Sequence, residues 1–259
     1  MALAFASEGM HVALADVDEN GLNVTRDRVG ALGAKAFSMR VDVSKWDQVD
    51  RFAEHATKEL KAIHLLCNNA GVAVSGAAWE TSSAEWQWIL GVNLWGVVHG
   101  VRAFAPRLIA QDEGHIVNTA SVAGLISPPG MGAYCVTKHA VVALSESLQH
   151  DLRERGSRVG VSVLCPAYVP TGIADSERNL PPGFSPSEKS SERLAKEAAL
   201  RKAVASGKLS ADDVARAVVA AVKENRFYIL THPAIKGAVR ARMEDVLEER
   251  APRDPLTLK

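Results

Sequence analysis

The chain has 259 residues, 30 lysines plus arginines and 30 aspartates plus glutamates, so it can bury one large core and carries no charge excess that would draw it to nucleic acid or an anionic membrane. Cys67, Cys135 and Cys165 are odd in number, far apart and set in apolar segments, which suits reduced thiols better than a disulfide framework or a metal site. No apolar run approaches the roughly 20 residues of a membrane span. A single cytoplasmic domain is expected, with small molecules or further copies of itself as partners.

The opening MALAFASEGM is helix-compatible and apolar, with Gly9 as its stop, and HVALAD at 11 to 16 then reads as a buried strand closed by Asp16. Further strands are predicted at 36 to 43, 63 to 69, 115 to 121, 159 to 166 and 227 to 232. Helices are predicted at about 19 to 32, 45 to 60, 82 to 110, 133 to 155, 210 to 224 and 236 to 249. Such alternation predicts an α/β fold, a doubly wound parallel sheet with helices on both faces. The segment 171 to 208 breaks the rhythm: NLPPGFSPSEKSS followed by the charged SERLAKEAALRKAVA has the composition of a mobile lid or a surface insertion.

The strongest local signal is GMGAYCVTKHAVVALSESL. Tyr134 and Lys138 stand four apart at the start of a helix, so both side chains share a face with the ammonium near the phenol. A cation there favours phenolate, which suits a tyrosine that gives and takes protons although its ordinary pKa is about 10. Ser121 closes the strand HIVNTAS. In an open α/β sheet that edge is where ligands bind, so its hydroxyl and the phenol can converge on one carbonyl oxygen.

Three further features fall on the same edge. NNAG at 68 to 71 follows IHLLC, with a glycine where the backbone turns tightly or meets a ligand. Asn93, between Gly91 and Gly96, sits inside a long helix it does not favour and points to a kink. CPAYVPTG at 165 to 172 follows the strand VGVSVL. Taken singly these fit an ordinary turn, a solvated helix residue and a plain loop. Their joint order along the chain is what carries weight.

That set, in that order and at that spacing, resembles the short-chain dehydrogenase/reductase family from Met1 to about Thr171. The resemblance implies a Rossmann-like fold and hydride transfer between a nicotinamide dinucleotide and an alcohol or carbonyl. Tyr134 would donate or accept the proton, Ser121 would hold the reacting oxygen, Lys138 would lower the phenol's pKa and bind the nicotinamide ribose, and Asn93 would position a relay water. Thr171 would contact the carboxamide, and Asn69, Ala70 and Gly71 would line the adenosine side. The loop reads Pro166-Ala167 where the family usually has Pro-Gly. Asp16, if it does more than end a strand or cap a helix, would accept from both ribose hydroxyls of NAD and repel the 2′-phosphate of NADP, so NAD is expected over NADP. Asp42 and Val43 would flank the adenine.

In the dinucleotide fold the ribose carboxylate follows the glycine-rich turn by about 20 residues, and counting back from Asp16 runs off the start of the chain. The first strand and glycine-rich loop are therefore expected before Met1, and the chain is read as truncated, its orphaned strands left to lose partners or to pair directly. A non-catalytic scaffold or inactive fragment is the competing reading. Leu125, Ile126, Pro129 and Met131, with Ile173, Leu180 and Phe184 of the lid, suggest an apolar pocket for an apolar alcohol or ketone. His232 reads as a surface turn residue that could approach the pocket. The helix from 236, with apolar positions at 235, 239, 243 and 246, suits packing on the domain or on a sister subunit, and a homo-oligomer is expected.

Overall fold

Short β-rich runs separated by amphipathic helices can bury their backbones only by pairing side by side, and every strand here pairs in parallel. A computed structural model describes residues 1–184 and 188–257. Among them run strands β1 (Val12–Asp16), β2 (Ala36–Arg40), β3 (Leu65–Asn68), β4 (His115–Thr119), β5 (Gly160–Leu164) and β6 (Tyr228–Ile229). The helices are α1 (Ala2–Ser7), α2 (Glu19–Ala31), α3 (Trp46–Leu60), α4 (Ser83–Leu90), α5 (Gly96–Gln111), α6 (Gly132–Glu154), α7 (Ser191–Ala205), α8 (Ala211–Lys223) and α9 (Ile235–Leu247). No helix is long and apolar enough to cross a membrane among the described residues.

The strands form two sheets, β1-β2 and β3-β4-β5-β6. Among the described residues no ladder joins β1 to β3, so the direct pairing considered above does not occur. Alternate residues of β4 point to opposite layers. Ile116 packs with Val49 and Ala53 of α3 and Phe104 and Leu108 of α5, a cluster that Ala13, Ala15 and Met39 of the first sheet also join. Val117 instead faces Phe5 of α1 and Val214 and Val218 of α8. Helices thus cover both faces of the β3-β6 sheet.

Gly9 stops α1 as expected: at φ +86° its N–H and that of Met10 cap the Ala6 and Phe5 carbonyls at 2.9 and 3.1 Å. Several boundaries differ from the sequence reading. The second strand stops at Arg40, because the Asp42 carboxylate accepts the Ser44 N–H at 2.9 Å and turns the chain there. Asp42 and Val43 therefore lie in a turn beyond β2, and β6 is only two residues long. The helix expected over 82 to 110 is interrupted by a π-helical turn, Gly91–Trp95, centred on Asn93. The expected lid is docked rather than loose where it is described. Gly172–Asn179 form a 3₁₀ helix, and α7 buries Arg193 (2% exposed) and Val204 (5%). Residues 185–187 of that segment lie outside the described residues.

Candidate active site

The carboxyl ends of the parallel strands carry the candidate residues, and α6 brings its first turn across them. Ser121 follows β4 in extended conformation and opens a 3₁₀ turn, Val122–Gly124. A Cβ on Gly124 would stand 2.5 Å from the Lys138 carbonyl oxygen, so only glycine lets this turn lie against α6. That contact sets Ser121 beside Tyr134.

Lys138 is almost fully buried, and its ammonium donates to the Thr119 carbonyl at 2.9 Å. Its Nζ lies 5.6 Å from the centre of the Tyr134 ring. The first helical turn thus delivers the shared face that the four-residue spacing predicts. The titration behaviour runs against the simplest expectation. Burial pushes the Tyr134 phenol up to about 12, a hydrogen bond with Ser121 pulling the other way, and burial brings Lys138 down to about 8. The Ser121 hydroxyl also lies 3.3 Å from the Pro166 carbonyl, to which it donates, and it accepts the Ala123 N–H at 3.2 Å.

Asn93 is fully buried, and its amide clamps the loop that follows NNAG. Oδ1 accepts the Val72 N–H at 2.8 Å, while Nδ2 donates to the Val72 carbonyl at 2.9 Å and to Thr137 Oγ1 at 3.1 Å. Both amide hydrogens are used, which leaves Asn93 one oxygen lone pair. The widened π-helical turn gives this asparagine its inward reach. Thr137, which the sequence reading passed over, donates to the Tyr134 carbonyl at 2.8 Å and so links Asn93 to the tyrosine's own backbone. Its position between Tyr134 and Lys138 on a buried helix face was the available signal.

The remaining candidates lie along the same edge. Asn69 Oδ1 accepts the Thr119 hydroxyl at 3.2 Å, and Ala70 beside it is exposed. Thr171 is exposed at the N-cap of the 3₁₀ helix, its hydroxyl making no capping bond. Asp16 is exposed at the end of β1, accepts the Asp18 N–H at 3.1 Å and has Arg40 as its register partner on β2. The Val43 carbonyl lies 2.9 Å from His99 Nδ1, and its side chain packs on Gly96. Ala167 is not in the left-handed region, so Pro166-Ala167 needs no glycine.

The space before the Lys138 amine stays clear because residue 71 is glycine: a Cβ there would stand 3.5 Å from Asn93 Oδ1 and 3.6 Å from Lys138 Nζ. The glycine-rich pyrophosphate turn that the resemblance implies is not found among the described residues.

The apolar wall beside Tyr134 differs from the one expected. Leu125 packs into the Val97, Val141 and Val163 cluster and Ile126 is buried, so these two serve the core. Tyr134 instead packs with Val72, Val74, Trp88 and Ile89, which Leu180 and Phe184 of the lid also cover. A cavity of about 30 Å³ remains between Val74 and Trp88 on one side and Ser176, Leu180 and Phe184 of the lid on the other. Arg193, read from sequence as one charge among many, is ion-paired with Glu85 of α4 beneath that wall. His232, read as a surface turn residue, accepts the Ala167 N–H at its Nδ1, 3.2 Å away.

The family model described as short chain dehydrogenase matches residues 1–180. A CLA biosynthesis dehydrogenase/reductase of Lactiplantibacillus plantarum is 34% identical over 251 residues, 95% of this chain and 88% of that protein. A 1-deoxy-11-beta-hydroxypentalenate dehydrogenase of Streptomyces exfoliatus is 33% identical over 93% of this chain and 81% of its own length. The crystal structure of a short chain dehydrogenase/reductase from Burkholderia phymatum in complex with NAD superposes with a TM-score of 0.96 at 52% identity, covering 99% of this chain and 93% of that one. The chain belongs to the short-chain dehydrogenase/reductase family, NAD(P)-dependent oxidoreductases with a Rossmann-like α/β fold.

Proposed function

We propose that the protein transfers hydride between NAD(H) and an apolar secondary alcohol or ketone, with Tyr134 as general acid and base. The observation that carries this reading is the meeting of Ser121, Tyr134 and Lys138 at the carboxyl end of β4, with the amine 5.6 Å from the phenol ring. Bound NAD supplies the hydride acceptor at its nicotinamide. In oxidation Tyr134 takes the hydroxyl proton of the substrate, and in reduction it returns that proton to the carbonyl oxygen. Ser121 turns its hydroxyl from Pro166 toward the same oxygen and steadies its developing charge. Lys138 and Thr171 would hold the nicotinamide side, and Asp16, Asp42, Val43, Asn69, Ala70 and Gly71 the adenosine side. Asn93, with one lone pair left near Lys138, would seat a water that passes protons to the amine.

Asp16 supports NAD over NADP, because its exposed carboxylate matches two ribose hydroxyls and opposes a phosphate. Trp88, Leu180 and Phe184 support an apolar substrate. Exposed Trp95, Val136, Met243 and Val246 support self-association. The test is nicotinamide absorbance with a panel of secondary alcohols and ketones. Turnover should fall about 10²- to 10⁴-fold in Tyr134→Phe, and an unaltered rate would defeat the reading.

A second reading is a scaffold that has kept the fold without cofactor binding. It predicts no rise in melting temperature with NAD, whereas an NAD-binding enzyme must be stabilised by its ligand.

A further inference from the structure

We infer that His232 is a positioning residue for the active site, holding the Pro166-Ala167 loop against Ser121; the inference rests on the dehydrogenase reading above. An amide N–H can only donate, so the 3.2 Å approach of the Ala167 nitrogen to His232 Nδ1 requires an unprotonated Nδ1 and a neutral ring with its hydrogen on Nε2. Thr231 Oγ1 stands 2.9 Å from the same nitrogen. Burial lowers the pKa of the ring and so favours that neutral form.

The loop held in this way is the one that Ser121 leans on. The Pro166 carbonyl accepts the Ser121 hydroxyl at 3.3 Å and the Val122 N–H at 2.9 Å, while the Cys165 N–H donates to the Ile229 carbonyl at 3.0 Å. Residues 165, 166 and 167 are thereby tied in turn to β6, to the serine turn and to His232. The last tie is made by a histidine side chain from beyond β6, and it precedes the stretch that leads to Thr171. Without it the Pro166 carbonyl and the chain toward Thr171 have one fewer fixed point, so both the serine hydroxyl and the carboxamide contact lose their aim.

The test compares His232→Asn, whose Oδ1 can replace the Nδ1 acceptor, with His232→Leu, which cannot accept. Three quantities are read: hydrogen exchange at the Ala167 amide, and kcat and KM for a secondary alcohol with NAD. In the leucine variant Ala167 exchange should accelerate and kcat should fall about ten- to a hundredfold with substrate KM changing less than threefold, the pattern of misaimed groups rather than lost binding. The asparagine variant should stay within about threefold of the parent in both exchange and kcat. Unchanged exchange in the leucine variant, or faster exchange with an unchanged kcat, overturns the inference. So does an equal kcat loss in both variants. A parent protein without turnover would instead sink the dehydrogenase reading, and the exchange rate would still decide whether His232 holds the loop.

Discussion

Arg193 of the lid helix and Glu85 of α4 form an ion pair with their side chains 2% and 4% exposed. Glu85 is also the partner of Ser82 in the capping box that starts α4, accepting the Ser82 N–H at 2.8 Å, and Arg193 reaches Glu197 at 3.4 Å. The lid is therefore fastened to the helix that presents Trp88 toward Tyr134.

Removing Arg193 takes the guanidinium from a carboxylate that is 4% exposed. Arg193→Met should destabilise the protein by about 3–5 kcal/mol, while the Glu85→Leu, Arg193→Met double variant should recover most of that loss. Urea denaturation of the three proteins measures it, and equal stabilities in the two variants would contradict the buried pairing.

The raised phenol makes the two reaction directions unequal. With Tyr134 at about 12 the phenol stays protonated through the neutral range, ready to donate to a ketone but slow to accept from an alcohol. Ketone reduction should outrun alcohol oxidation near pH 7, and kcat/KM for oxidation should climb from pH 7 to 9. A flat oxidation profile over that interval would show that another group accepts the proton.

His115 makes the fold acid-sensitive away from the site. Its Nε2 lies 2.7 Å from the Ser162 hydroxyl, which donates onward to the Arg226 carbonyl at 2.6 Å, and burial lowers the ring from 6.5 to about 4. The unfolded chain takes up this proton below about 6.5 while the folded one refuses it. The stabilisation is therefore whole above 6.5 and lost as pH falls toward 4, costing about 2 kcal/mol between pH 7 and 5. His115→Gln should flatten that part of the stability curve in urea titrations at the two pH values.

Asp16 should govern the choice of dinucleotide. Asp16→Ser removes the charge that opposes a 2′-phosphate, with Arg40 in register on the neighbouring strand to attract one. NADP affinity should improve about tenfold and NAD affinity fall, as read by fluorescence titration. Unchanged affinities would place the ribose away from β1.

The legible parts of the site were those whose geometry is local. Tyr134 and Lys138 could be paired from one helical period, and Ser121 from its place at a strand end. Asn93 betrayed its kink because an asparagine between two glycines is a poor helix former. The boundary at Arg40 was hidden because VDV continues the apolar-polar alternation of the strand, and what ends the strand is a side-chain bond from Asp42 to the next turn. Arg193 was illegible for a different reason. In a charged stretch it reads as solvent-facing, and its burial depends on Glu85, 108 residues earlier. His232 likewise meets a backbone group 65 residues away, a pairing that no periodicity encodes.

The wide turn at Gly91–Trp95 has one more consequence. It accommodates an extra residue, so α4 and α5 run on as one rod whose two ends present different faces. Trp88 and Ile89 look toward the tyrosine, while Phe104 and Leu108 look toward the β4 layer. Deleting one residue here would twist one end by about 100° relative to the other. The rod would then fit the phenol's surroundings or the sheet, and could not fit both.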